Sequence, residues 1–262
     1  MRAKIFQLDS FTTELFAGNP AAVVLLQEFP EEQVMQAIAA ENNLAETAFL
    51  IPSQGDYRLR WFTPAVEVPL CGHATLASAA VVMERLEPQR TSVTFQSVSG
   101  PLPVSKFKDG YVMNFPARLS EKVENPDGLA EALGVVPVEV FENQFNYLAL
   151  VESVKVVRSL TPDFEKVARL DRSGLIATAK GEGKYDFTSR YFAPAKGIPE
   201  DPVTGGAHCM LTPYWANKLG KNEFFAFQAS RRGGEMVCRL LNDRVEMEGA
   251  CVFYMEGEIT LV

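Results

Sequence analysis

The chain has 262 residues, 47% of them hydrophobic, enough to bury a large core in one domain or in two of about 130 residues each. A net charge of −8 and a pI near 5.0 exclude a nucleic-acid binder, because phosphate recognition needs a concentrated basic surface and Arg231-Arg232 is the one notable basic pair. No apolar run reaches the roughly 18 residues of a membrane span, and the first residues alternate as a strand (Ala3, Ile5, Leu8) and not as a signal segment. The expectation is a cytoplasmic protein with no membrane partner.

In chain order, strands are predicted over 4–8 and 21–26, with a loop through Gly18-Asn19-Pro20 between them. A helix over 31–42 follows, with Val34, Ile38 and Ala39 at helical spacing and a pair of asparagines at its end. The next strand is predicted over 47–51, so Glu46 falls at a helix-to-strand junction. An alternating strand over 57–62 delivers the chain to a glycine loop, and 74–83 is small and apolar on every side, the pattern of a helix buried all round. Short strands over 91–95, 102–107 and 110–115 lead to a linker with an amphipathic helix carrying Leu129 and Leu133. The second half reads as strands over 138–141, 147–151, 154–159, 175–179 and 186–192. A helix over 207–219, strands over 223–228, 236–241 and 244–248 and a last strand over 257–262 complete it. Pro213 predicts that the late helix is kinked or starts beyond 207.

One sentence is written twice. Arg60-Trp61-Phe62-Thr63-Pro64-Ala65 precedes Cys71-Gly72-His73-Ala74-Thr75, and Arg190-Tyr191-Phe192-Ala193-Pro194-Ala195 precedes Asp201-Pro202-Val203-Thr204-Gly205-Gly206-Ala207-His208. The offset predicts two similar lobes, each with strands around one central helix, over 1–118 and 119–262, the last strand being free to return to the first lobe. The N-termini of the two central helices are expected to face one cleft, where unpaired N–H groups would hold a small anion.

Both histidines of the chain fall in these loops. Glu46, flanked by Leu44, Ala45, Ala48 and Phe49, would be partly desolvated if it faced the cleft, as a general acid or base requires; otherwise it is a solvated turn residue. His73 follows a glycine at a helix start and would either handle a proton or bond a loop carbonyl. Asp201 sits in a Pro-Glu-Asp-Pro turn, as a turn former or as a carboxylate opposite His73. Gly72, Gly205 and Gly206 would let a ligand's carboxylate or oxyanion approach the backbone. Cys71 is the rival base, a thiol beside a helix N-terminus, against the commoner reading of a buried inert cysteine. Cys71, Cys209, Cys238 and Cys251 have no zinc-type or CxxC spacing, so reduced thiols are expected. The two histidines lack a third ligand at useful spacing, so no metal is expected.

With those residues in place, the chain resembles the phenazine-biosynthesis isomerase-like (PhzF-like) family, within the diaminopimelate-epimerase fold. The resemblance is carried by Gly18-Asn19-Pro20-Ala21-Ala22-Val23, Asn43-Leu44-Ala45-Glu46-Thr47-Ala48-Phe49, Arg60-Trp61-Phe62-Thr63-Pro64 and Cys71-Gly72-His73-Ala74-Thr75. Glu200-Asp201-Pro202-Val203-Thr204-Gly205 and the late Arg232-Gly233-Gly234 turn continue it in the same order. It implies an α+β fold of two pseudo-symmetric antiparallel barrel-like lobes, each wrapped around a central helix, working without a cofactor and expected as a homodimer. Glu46 becomes the general acid/base, His73 and Asp201 handle substrate and proton, and Asn19, Gly72, Ala74, Gly205 and Gly206 bind a small carboxylate-bearing substrate. The studied family reaction is isomerisation of a dihydro-hydroxyanthranilate by moving a proton. The family commonly has serine where Gly206 stands, so a hydroxyl that helps hold substrate is absent and the substrate does not follow from membership. Cysteine racemases of the same fold share a Cys71-Gly72-His73-like motif, yet Val203-Thr204 stands where their second thiol would be. A small-molecule binding protein without catalysis is the remaining alternative.

Overall fold

The computed structural model describes residues 2–261, and residue 262, the end of the predicted last strand, lies outside the described residues. Two compact units form. The first runs to Asn114 and resumes from Met247 onwards; the second is Phe115–Glu246.

The first unit contains β1 (Arg2–Ser10), β2 (Asn19–Leu25), α1 (Glu32–Asn42), β3 (Glu46–Ser53), β4 (Asp56–Phe62), β5 (Glu67–Val68) and α2 (Gly72–Val81). After them come β6 (Ser92–Ser97), β7 (Gly100–Phe107), β8 (Gly110–Pro116) and, from the chain's end, the strand Cys251–Thr260. That last strand starts earlier than its sequence suggested, because it pairs with the whole of β1, from Arg2↔Thr260 to Ser10↔Cys251. Asn43 ends α1 in the left-handed conformation, its N–H bonded to the Ala39 carbonyl. Every residue of α2 from His73 to Val81 is buried, as its all-apolar surface demands, and the helix continues through a π-helical turn, Val82–Leu86.

The second unit contains β9 (Glu121–Val123), α3 (Leu129–Leu133), β10 (Glu139–Glu142), β11 (Asn146–Leu150), α4 (Val154–Ser159) and α5 (Phe164–Ala168). It continues with β12 (Gly174–Lys180), β13 (Phe187–Ala193), β14 (Ile198–Asp201), α6 (Gly205–Leu219), β15 (Glu223–Gln228), β16 (Gly234–Leu241) and β17 (Arg244–Gly249). Residues 154–159, predicted as a strand from their valines, are helical. Ser153 accepts from the Val156 N–H at 3.3 Å as an N-cap, and Val154 and Val157, one turn apart, are the buried pair. Residues 164–168 form a helix that the sequence reading missed, capped by Asp163 through the N–H groups of Glu165 and Lys166. Helix α6 starts at Gly205, two residues earlier than predicted, and contains Pro213 in its interior. Pro213 cannot bond the Cys209 carbonyl four residues back, and the Arg118 N–H takes that carbonyl at 2.9 Å.

The repeat is topological as well as verbal. In the first unit β2–β3 is parallel, β3–β4 antiparallel, β4–β5 antiparallel, β4–β6 parallel and β6–β7 antiparallel. In the second, β11–β12, β12–β13, β13–β14, β13–β15 and β15–β16 repeat that series in the same order. The arginine that opens each copy has one job: Arg60 forks onto Glu67 at 2.7 and 2.6 Å, and Arg190 onto Glu200 at 2.7 and 2.9 Å. Each fork joins the strand before the proline loop to the short strand after it. The fold is thus α+β, two lobes of mainly antiparallel strands, each wrapped around a central buried helix.

Candidate active site

Three strands and a helix start bring five side chains together in the first unit: Ser10, Asn19, Glu46, Cys71 and His73. Ser10 lies opposite Asn19 on β2, and Ala21, two residues along the same face, lies opposite Glu46 at the head of β3. Cys71 and His73 bracket the first residue of α2. Glu46 Oε2 and His73 Nε2 are 3.0 Å apart, with side chains 10% and 3% exposed. The two atoms are close enough for an ion pair, and neither has any other hydrogen-bond partner among the described residues. On the other edge of the ring, His73 Nδ1 meets Asn19 Nδ2 at 3.0 Å and Cys71 Sγ at 3.4 Å. Behind it, Ser10 Oγ donates to the His73 carbonyl at 2.9 Å.

Burial opposes charge on His73, while the Glu46 carboxylate favours it and raises its pKa above 6.5. Burial pushes the Cys71 thiol up to about 11, Glu46 adding to the effect. A helix N-terminus was expected to lower that thiol; desolvation outweighs it, and at neutral pH Cys71 is not a thiolate. Glu46, Cys71 and His73 offer ligand atoms within 4.8 Å of one another. Cys71 and Glu46 nevertheless face opposite ring nitrogens, whose lone pairs diverge, so one metal ion cannot take all three from these positions. Ala74 is wholly buried.

Asp201, Gly205 and Gly206 lie in the second unit. Asp201 is 7% exposed and its Oδ2 accepts from Thr204 Oγ1 at 2.6 Å. Gln228 braces this turn from β15: its Nε2 donates to the Asp201 carbonyl at 2.7 Å and its Oε1 accepts from the Thr204 N–H at 2.8 Å. Sequence reasoning missed Gln228, which is distant in sequence and part of no motif. It also missed Arg118, which no carboxylate pairs with among the described residues. The Arg118 guanidinium stands over the Phe145 ring at 4.4 Å, and a side chain at Gly206 would find its Nη1 at 3.8 Å and nothing closer.

His208 is different from His73. It is wholly buried within α6, its Nδ1–H donates to the Thr204 carbonyl at 2.8 Å, and burial lowers its pKa to about 4. Its folded pKa lies below the unfolded value, so the stability it confers is present above pH 6.5 and is lost as pH falls towards 4. The loss should be about 3 kcal/mol. Urea unfolding between pH 7 and 4 should show that decline in the wild type and a shallower one in His208→Gln; equal slopes would assign the decline to other groups.

A cavity of about 640 Å³ lined by Phe29, Arg58, Arg60 and Glu67, among others, includes none of the candidate residues. No helix among the described residues is long and apolar enough to cross a membrane. All four cysteines are free thiols.

Residues 8–257 match the family model described as phenazine biosynthesis-like protein. A protein of Pseudomonas aeruginosa named an uncharacterized isomerase is 45% identical over 261 residues, the whole of both chains. The crystal structure of a PhzF-family phenazine biosynthesis protein from Enterococcus faecalis superposes over all of both chains with a TM-score of 0.95 at 40% identity. A hydroxyproline epimerase from Agrobacterium vitis shares the fold alone, with a TM-score of 0.67 at 10% identity over 98% of this chain and 91% of its own. With a family match across nearly its whole length, the chain belongs to the phenazine biosynthesis-like protein family.

Proposed function

We propose that this protein is an isomerase that removes a proton from carbon in a small carboxylic acid and returns it at another position or face, with Glu46 as general acid/base. The observation that carries the reading is the buried Glu46–His73 pair, 3.0 Å apart, with no other hydrogen-bond partner on either facing atom among the described residues. A carboxylate that accepts a carbon-bound proton must be shielded from water and needs a cation to stabilise its charged form between turnovers. His73 supplies the cation. This chemistry moves one proton and no electrons, so side chains can supply it without a cofactor. The isomerase names of full-length relatives agree in reaction class.

In the same proposal, Asp201 orients substrate and the returning proton, its carboxylate aimed by Thr204 and its turn braced by Gln228. The substrate's carboxylate is assigned to the open N–H groups at one of the helix starts, that of Gly72 in α2 or those of Gly205 and Gly206 in α6. Arg118 adds a cation at the second of these, where the serine common in the family is replaced by Gly206.

The test is carbon-bound hydrogen exchange. The protein is incubated in deuterium oxide with a panel of small carboxylic and amino acids, each also screened for thermal stabilisation. At least one acid that stabilises the protein should gain deuterium at carbon next to its carboxylate or conjugated system. Stabilisation by several acids with no deuterium gain in any would replace the isomerase reading with that of a small-molecule binding protein.

A further inference from the structure

The hydrogen-bonding side chain nearest to His73 on the edge away from Glu46 is Asn19, read from the sequence as a substrate ligand. Asn19 is wholly buried on β2, and its Nδ2 lies 3.0 Å from His73 Nδ1. Cys71 Sγ approaches the same nitrogen at 3.4 Å. An amide N–H and a thiol both offer a proton there, so in the neutral ring Nδ1 presents its lone pair. The other nitrogen, Nε2, faces a carboxylate oxygen, which can only accept.

We infer that Asn19 is a positioning residue that keeps the imidazole proton of His73 on Nε2, facing Glu46. This rests on the reading of Glu46 and His73 as the proton-transfer pair. A neutral imidazole with its proton on Nδ1 would turn a bare lone pair towards the Glu46 carboxylate, and neither group could then stabilise the other. A motif asparagine one strand away thus sets which of two tautomers the neutral ring adopts.

The groups that face His73 are few. Glu46 comes from β3, Cys71 from the residue before α2, and Asn19 from β2. From β1, Ser10 bonds the His73 carbonyl, and its Oγ lies 3.5 Å from Cys251 Sγ on the C-terminal strand. Glu46 is the only carboxylate in this set, so a second one at position 19 would change the charge balance on the other edge of the ring.

Nitrogen-15 NMR of the uniformly labelled full chain reads this directly, because only two histidines are present. His208 is the internal reference, being held in the Nδ1–H form by the Thr204 carbonyl. In its neutral limb at high pH, wild-type His73 should show Nδ1 as the bare nitrogen and Nε2 as the protonated one. Asn19→Asp, nearly the same shape, should move the proton to Nδ1 and shift the His73 titration upward by about 1 to 3 units. Asn19→Leu removes the donor and should yield a mixture of tautomers. A wild-type circular-dichroism spectrum and urea-unfolding midpoint show that a variant is folded, and the wild-type NMR spectrum alone decides if neither variant folds. A wild-type His73 protonated on Nδ1 would overturn the inference, as would folded variants that leave its tautomer and titration untouched. The spectra need no substrate, so they judge Asn19 independently of the deuterium-exchange assay that judges the isomerase reading.

Discussion

Glu46→Gln is expected to lower turnover of any exchanged substrate by about 10²- to 10⁴-fold, the range over which a positioned acid or base contributes. Glutamine keeps the size of the side chain but cannot take a proton at neutral pH, so binding should be largely retained. The loss should fall on kcat and not on KM. The contrast with Cys71→Ala gives the result its meaning. Burial holds the Cys71 thiol at a pKa of about 11, so its removal should cost far less than the glutamate's. Both variants are compared in one deuterium-incorporation assay. If Cys71→Ala abolishes incorporation and Glu46→Gln does not, the glutamate mechanism is wrong and a thiol-dependent racemase takes its place.

Phe187→Ala should lower the unfolding free energy by about 3–5 kcal/mol, the usual cost of emptying a fully buried aromatic site. Phe187 has no exposed surface. It stacks on Trp215 of α6 with centroids 5.8 Å apart and planes 6° from parallel, and it also packs against His208 and Phe224 at 5.9 and 5.8 Å. Trp215 is further fixed by its Nε1–H, which donates to Thr178 Oγ1 on β12 at 3.1 Å, so the neighbours have little freedom to close the cavity. Phe16→Ala is the control: Phe16 is 69% exposed and should change stability by no more than about 0.5 kcal/mol. Urea unfolding of the three proteins measures both numbers. A loss under about 1 kcal/mol for Phe187→Ala would mean that the helix and strands collapse onto the gap.

The lobes and their central helices were legible because the sequence repeats itself and because α2 is apolar on every side. Glu46 at a helix-to-strand junction and His73 at a helix start were legible from local pattern. That they meet at 3.0 Å was not, since the meeting depends on the parallel register of β2 and β3. Residues 154–159 misled because valine favours strands on average, while one serine cap and two buried valines a turn apart outweigh that preference. Pro213 misled for a similar reason. Its cost was plain in the sequence, but the Arg118 N–H that takes the freed carbonyl comes from 95 residues earlier in the chain. Asn19 was legible as a motif residue, but a motif gives no direction, and its Nδ2 contact with His73 Nδ1 depends on the fold.

The two Arg–Glu forks separate loop length from loop anchoring. Six residues lie between Arg60 and Glu67, and nine between Arg190 and Glu200, yet the same bidentate clasp closes both segments. Each clasp fixes where its segment leaves the lobe and where it returns, so the stretch inside can lengthen, shorten or change composition while the glycine turn beyond it stays in place. A scaffold clasped in this way can vary the residues between its fixed ends without moving the turn that follows.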